Sequence, residues 1–304
     1  MSGSRWDPGV GGGREESRVP QRSAGTRDSA RGSPFQMSEE STLPMTAVVL
    51  AGDRAGEDPL ALAAGVPSKA LTPLAGRPMV RLVLDSLLAS EQVGRIILCG
   101  PAREHVEECP SIEEVMRGGR VTWIPPAASP CDSLLRVLET VSPEERVLVT
   151  TADHALLDRD IIDHFVRHSL ESGADLAVAV ARKEMVMDAF PGVRRTGFRL
   201  RDGSFCGCNL FAFLSGRARR AVAFWSRVEA LRKHPLKMAG VLGWPILAGY
   251  LLRLITLESA LRQLSGRMGL TARAVIMPIP AAAVDVDSID DYQLAQAVLA
   301  RGHG

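Results

Sequence analysis

One stretch near residue 50 limits the possible architectures more than any other. Ala47-Val-Val-Leu-Ala-Gly-Asp-Arg-Ala-Gly56 is an apolar run that breaks into small residues, and Ser68-Lys-Ala-Leu-Thr-Pro-Leu-Ala-Gly-Arg-Pro-Met79 follows closely. A strand that ends in small, flexible residues lets backbone amides approach a polyphosphate, and a lysine shortly beyond it neutralises the charge. Together the two segments read as a nucleoside triphosphate site. Two prolines and a glycine around Lys69 fix a rigid loop, which is how a point charge is held against phosphates.

From Thr46 onward, short β-branched or aliphatic runs alternate with helical patterns. Val48 to Leu50, Arg95 to Cys99, Arg120 to Ile124, Arg146 to Thr150 and Asp175 to Val180 read as buried strands. Met79 to Ala89, Cys131 to Thr140 and Arg159 to Ser172 read as the helices between them. This order predicts an α/β fold with a mostly parallel, three-layer sheet, ligands lying beyond the carboxyl ends of the strands. Further on, Arg194 to Arg201 and Ser204 to Leu214 read as two strands around Asp202-Gly203. Helices are expected from Gly216 to Lys233 and from Leu236 to about Leu264, a helical insertion spanning about 216–265. A last strand, Ala274 to Pro278, then precedes a closing helix that ends at Arg301.

Composition narrows the function classes. The 304 residues carry a net charge of +1, so no global field draws nucleic acid or an anionic surface, and phosphate binding falls to local groups. Aromatic residues make up only 5%, which argues against base-stacking platforms. Five cysteines, without a C-x-x-C pair or a matching cluster of histidines, fit a reducing cytoplasm and no zinc site. Residues 1–43 are rich in Gly, Ser, Arg and Glu and lack the apolar core of a secretory signal, so they are expected to be a disordered tail or an over-extended translation start, with Met37 and Met45 as alternative starts. The domain proper is then 44–304. Met238 to Leu257 is the most apolar long stretch, but Gly240, Gly243, Pro245, Gly249 and Arg253 interrupt it. A membrane span is therefore not expected. A helical lid or hairpin packed on the sheet is the first reading, and a membrane-surface helix the alternative.

Three acidic positions complete the candidate chemistry. Asp153 follows the strand Arg146 to Thr150 at the ligand edge of the sheet, where a carboxylate can hold Mg²⁺ against a phosphate oxygen, or simply cap the next helix. Asp285 and Asp287 alternate along the chain, so both can face one cation, with capping of the last helix by Asp287 or Ser288 as the other reading.

The wording of these segments resembles the nucleotidyltransferases of the MobA-like superfamily, whose sheet is of the nucleotide-diphospho-sugar transferase, or GT-A-like, type. Members open with L-A-G-G-x-G-x-R and P-K-x-L-x-P-x-x-G-x-P-[ML], place an Asp after a middle strand, and end with [DN]-[IV]-[DN]-T-P-E-D-L. Here Leu50-Ala-Gly-Asp-Arg-Ala-Gly56-Glu57 departs from the first pattern at Asp53 and Glu57, and Ser68 intervenes between Pro67 and Lys69. The resemblance implies Lys69, Asp153 and Asp287 as catalytic residues, with Asp153, Asp285 and Asp287 as ligands of Mg²⁺. It implies Leu50, Ala51, Gly52, Arg54 and Lys69 at the nucleotide. Ser133 is a candidate near the base and ribose or a helix cap. Asn209 is either an acceptor contact or a sheet-edge residue, and Lys237 is a candidate at the acceptor phosphate or part of a solvated basic cluster. The implied reaction moves a nucleoside monophosphate from an NTP, CTP or GTP, to a phosphorylated sugar, polyol or headgroup precursor, and pyrophosphate leaves. Molybdenum cofactor guanylyl transfer and a non-catalytic nucleotide-binding role are the alternatives.

Overall fold

The computed structural model describes residues 44–53, 58–192, 195–231 and 234–301. The tail expected over 1–43 lies outside the described residues, as do Arg54, Glu57 and Arg194. In chain order the first half comprises β1 (Met45–Leu50), α1 (Pro59–Ala64), the short strands β2 (Pro73–Leu74) and β3 (Arg77–Pro78), α2 (Met79–Ala89), β4 (Val93–Cys99), α3 (Arg103–Glu107), α4 (Pro110–Arg117), β5 (Val121–Ile124), α5 (Pro130–Glu139) and β6 (Val147–Thr151). The second half adds α6 (Arg159–Glu171), β7 (Leu176–Arg182), α7 (Lys183–Ala189), β8 (Phe198–Leu200), β9 (Gly203–Phe213), α8 (Arg219–Ala230), α9 (Pro235–Leu242), α10 (Trp244–Leu251), α11 (Leu257–Met268), β10 (Ala272–Met277) and α12 (Ile289–Arg301).

The main sheet runs β10-β7-β9-β6-β1-β4-β5, with β8 paired to β9. Neighbours are parallel from β6 through β1 and β4 to β5, and again between β7 and β10. β9 is the exception, running antiparallel between β6 and β7. Successive strand residues feed opposite faces. Ala47, Val49, Ile96, Leu98 and Leu148 join α2 and α6 in one cluster, while Val48, Ile97, Val147 and Val149 join α5 and α8 in the other. That is the strand period of two written into a sheet covered on both sides, and it explains why the strands read as unbroken apolar runs. Phe165 of α6 is fully buried against the first face, and burying such a side chain contributes roughly 1.5–3 kcal/mol.

Helix starts follow local chemistry. The Asp58 carboxylate accepts from Leu60 N and Ala61 N at the head of α1, Ser129 caps α5 through Asp132 N, and Asp158 caps α6 through Ile161 N. Ser288 accepts from Asp291 N at the start of α12. Capping is thus done by Asp158 and Ser288, which removes the capping readings of Asp153 and Asp287.

Two expectations change. The helical stretch anticipated from Leu236 to about Leu264 is divided into α9, α10 and α11. Gly243 adopts φ +103, and a Cβ there would meet the Arg267 guanidinium at 2.4 Å, so the chain turns at this glycine and restarts with Pro245. The first arm of the late hairpin shortens to β8, and its second arm, β9, lies in the middle of the sheet between β6 and β7, so Asn209 is not a sheet-edge residue. Cys206 and Cys208 are buried in β9.

The junction after β1 is held from its neighbour. Ala51 N donates to Cys99 O, and Gly100 lies so close that a Cβ would sit 2.8 Å from Gly52 N, at a φ of +88. Gly100→Ala is therefore expected to displace the Ala51-Gly52 turn and to destabilise the fold by about 1–3 kcal/mol. Thermal melts check this, and an unchanged melting temperature would contradict the close packing assigned to this turn.

Candidate active site

The loops beyond the carboxyl ends of β1 and β6 and the segment after β10 converge at one edge of the sheet. Lys69 reaches that edge from the short 3₁₀ turn Lys69–Leu71. Its Nζ lies 2.8 Å from Asp153 Oδ2 and also pairs with Asp287 Oδ1. The side chains of Lys69 and Asp153 are 19% and 18% exposed, so the ammonium sits largely out of water. Burial works against its charge, but Asp153 and then Asp287 outweigh that penalty and raise its pKa above the ordinary lysine value.

Each acidic partner is positioned by backbone contacts. Val286 N donates to Asp153 O at 2.9 Å, laying the Asp285-to-Asp287 segment beside the end of β6. Val286 is fully buried, and its two flanking aspartates lie on the other side of that segment. Thr151 Oγ1 donates to Asp153 Oδ1 at 2.5 Å and fixes the carboxylate's rotation.

Asp285 takes different partners from Asp287. It accepts from Asn209 Nδ2 at 3.2 Å and pairs with Arg195 Nη1 at 3.4 Å, while Arg195 Nη2 lies 2.9 Å from Asp291 Oδ1 of α12. Burial, reinforced by Asp287 and Asp153, pushes the Asp285 carboxyl above its usual range. Asn209 has φ +43 and lies in the part of β9 where its register against β7 shifts between Val178 and Val180. A bulge of this kind re-aims one side chain, here toward Asp285. Among the described residues, no three His, Cys, Asp or Glu side chains are grouped to hold a metal ion by themselves.

Asp53 and Ser68, two of the departures from the family pattern, meet each other. Asp53 Oδ1 accepts from Ser68 Oγ at 2.9 Å and from Lys69 N at 3.1 Å. The aspartate in the second glycine's place thus clamps the lysine loop through the inserted serine. A cavity of about 750 Å³ opens beside this clamp, lined among others by Gly52, Asp53, Lys69, Ser129 and Asp153. Its size falls within the range of roughly 300–1,000 Å³ that small-molecule clefts occupy. Leu50, Ala51 and Ser133 also line it, and Ser133 Oγ accepts from Ala127 N at 2.8 Å, holding the loop before α5. Arg54 lies outside the described residues, and Lys237 is exposed on α9.

Three contributors were not singled out from the sequence: Arg195, Thr151 and His154. Arg195 follows a Pro-Gly turn with no motif around it, and only its distant partners make it visible. His154 is completely buried with Nδ1 3.2 Å from Thr150 Oγ1, and burial drops its pKa to about 4.

A mostly parallel sheet with a lysine and two aspartates gathered at its carboxyl edge, beside a cleft of this size, is where enzymes of the α/β class bind their ligands. Residues 47–276 match the family model of the MobA-like NTP transferase domain, and the chain belongs to that family of nucleotidyltransferases. A hypothetical transferase from Thermus thermophilus is 34% identical, with a TM-score of 0.66 over 82% of this chain and 100% of its own. The 4-diphosphocytidyl-2C-methyl-D-erythritol synthase from Anaerococcus prevotii is similar in fold, with 12% identity and a TM-score of 0.50 over 85% of this chain and 99% of its own. CMP:2-keto-3-deoxy-manno-octonic acid synthetase, solved with CTP, gives 14%, 0.52, 85% and 99%. No curated protein matches the chain at a significant level.

Two outcomes test the site's construction. Arg195→Met leaves Asp291, a 10% exposed side chain, without its cation, and breaking a buried pair this way is expected to cost about 3 kcal/mol in denaturant melts. Wild-type stability after Arg195→Met would contradict the pairing. For His154, the unfolded imidazole binds its proton near 6.5 and the folded one only near 4. Protonation therefore favours the unfolded chain, so this contribution is complete above pH 6.5 and declines as pH falls toward 4. Urea melts across that window should show a steeper loss in wild type than in His154→Gln, and equal slopes would remove the assignment.

Proposed function

We propose that the enzyme transfers a nucleoside monophosphate from an NTP to a phosphorylated small molecule such as a sugar, polyol or headgroup precursor phosphate. The observation that carries this reading is the convergence of Lys69, Asp153 and Asp287 at the mouth of the cavity. An acceptor phosphate oxygen attacks the α-phosphorus, the bond from that phosphorus to the α,β-bridging oxygen breaks, and pyrophosphate leaves. In-line displacement of this kind needs no protein nucleophile, so charge neutralisation and positioning carry the rate.

Lys69 would contact the phosphate under attack, held in place through its backbone amide by Asp53. Leu50 to Gly52 and the loop before α5, braced by Ser133, would flank the nucleotide. Asn209, tied to Asp285, would face the acceptor side.

The donor set fits Mg²⁺. Asp153 and Asp287 already share one cation, the Lys69 ammonium, and Mg²⁺ characteristically takes one or two carboxylates together with substrate phosphates. When bound there, it would neutralise charge on the triphosphate. Asp285 is engaged by Arg195 and Asn209, so its part in the proposal is to position the segment carrying Asp287.

The names of the two distant fold neighbours carry cytidyl or CTP chemistry, which puts CTP first in a screen. The test is pyrophosphate release by wild type with each of the four NTPs, Mg²⁺ and a panel of phosphorylated acceptors. One pair should turn over, and Lys69→Ala or Asp153→Ala should lower kcat by roughly 10²–10³-fold. Turnover that survives both substitutions would remove these residues from the reaction.

A further inference from the structure

The segment between β9 and β10 presents an apolar face that, among the described residues, nothing covers. Leu251, Leu252 and Leu254 are 69%, 67% and 64% exposed, and Trp244 is 57% exposed. Trp244, Ala248, Leu251 and Leu252 follow helical spacing along α10, so one side of that helix is an outward apolar stripe. No residue of α10 is fully buried, although Ile246 packs on Leu200, Phe205 and Ile255. An amphipathic helix of a globular protein ordinarily turns such a stripe inward, and a contiguous exposed one marks an interaction surface.

Charge identifies the occupant. Residues 230–257 contain Arg232, Lys233, Lys237 and Arg253 and no Asp or Glu, in a chain that carries 36 basic and 35 acidic residues in all. Lys237 and Arg253 are both exposed. A second copy of the chain packed patch to patch would set these cations against their own equivalents, which disfavours self-association. Exposed leucines with a tryptophan, a tyrosine and basic residues match instead a surface that is apolar beneath an anionic layer. Tyr250 and Trp244 are the side chains that settle at such boundaries.

We propose that α10 and the Leu252-to-Leu254 turn dock the enzyme on an anionic lipid surface. Among the described residues no helix is long and apolar enough to cross a membrane, so the contact is peripheral. The patch is fixed to the body of the protein. Asp202 in the β8–β9 turn accepts from Leu257 N at 3.1 Å, and Ile255 packs with Val180 near the carboxyl end of β7. Docking therefore involves the edge of the sheet that also carries the catalytic loops. The proposal does not depend on which NTP or acceptor is used.

Flotation of the full chain tests it, using vesicles of phosphatidylcholine alone and vesicles of equal parts phosphatidylcholine and phosphatidylglycerol. Wild type should float with the anionic vesicles at low salt, release at high salt, and ignore the neutral ones. Leu251→Ser/Leu252→Ser and, separately, Arg253→Glu should each lower the partition coefficient by about tenfold or more. Circular dichroism verifies that these surface variants fold. Absence of flotation at low salt, or flotation unchanged in both variants, overturns the proposal. So does a lipid-free dimer in light scattering that the leucine variant dissolves, because the face would then belong to a second copy.

Discussion

The ammonium of Lys69 between two carboxylates is the contact around which the site is organised. Its partners lie 84 and 218 residues away in the sequence, so the pairing closes only when β1, β6 and β10 have taken their places in one sheet. Each carboxylate so close to a second, partly shielded from water, requires a nearby cation. Lys69 supplies it, and the same charge is what a triphosphate requires.

The surroundings of that contact show how departures from a family pattern can compensate each other. Asp53 beside a phosphate site is repulsive in isolation. In the structure it accepts from the Ser68 hydroxyl and the Lys69 amide, so aspartate and serine together supply a clamp for the lysine loop. Arg195 ties Asp285 to Asp291, joining the segment that carries Asp287 to the last helix. The positioning of Lys69 and Asp287 thus draws on two polar networks, one at the lysine loop and one at the segment before α12.

The strands β1, β4, β6 and β7 were legible because a strand buried on both faces leaves an unbroken apolar run between turn residues. The placement of Lys69, Asp153 and Asp287 at one edge was legible too, since strand direction alone puts their loops on the same side. The central position of β9 was not, because the pairing partners of an antiparallel arm leave no trace in its own alternation. Gly243 and Pro245 marked an interruption of the helical stretch, but the contact that shapes the turn there, with Arg267 of another helix, was not visible. Arg195 and the split between Asp285 and Asp287 were hidden for a similar reason. They depend on which side chains meet across β9, α12 and the segment between them. The exposed stripe on α10 was read first as a lid packed on the sheet, and only its accessibility distinguishes that from a surface left open.

The most direct test of the central pairing is a crystal structure with Mg²⁺ and a non-hydrolysable analogue of the NTP that the enzyme uses. The expected result is a triphosphate in the cleft beside Gly52, with its phosphates within hydrogen-bonding distance of Lys69 Nζ and with Asp153 and Asp287 facing the metal. A nucleotide bound elsewhere, with Lys69 still bridging the two carboxylates, would contradict it.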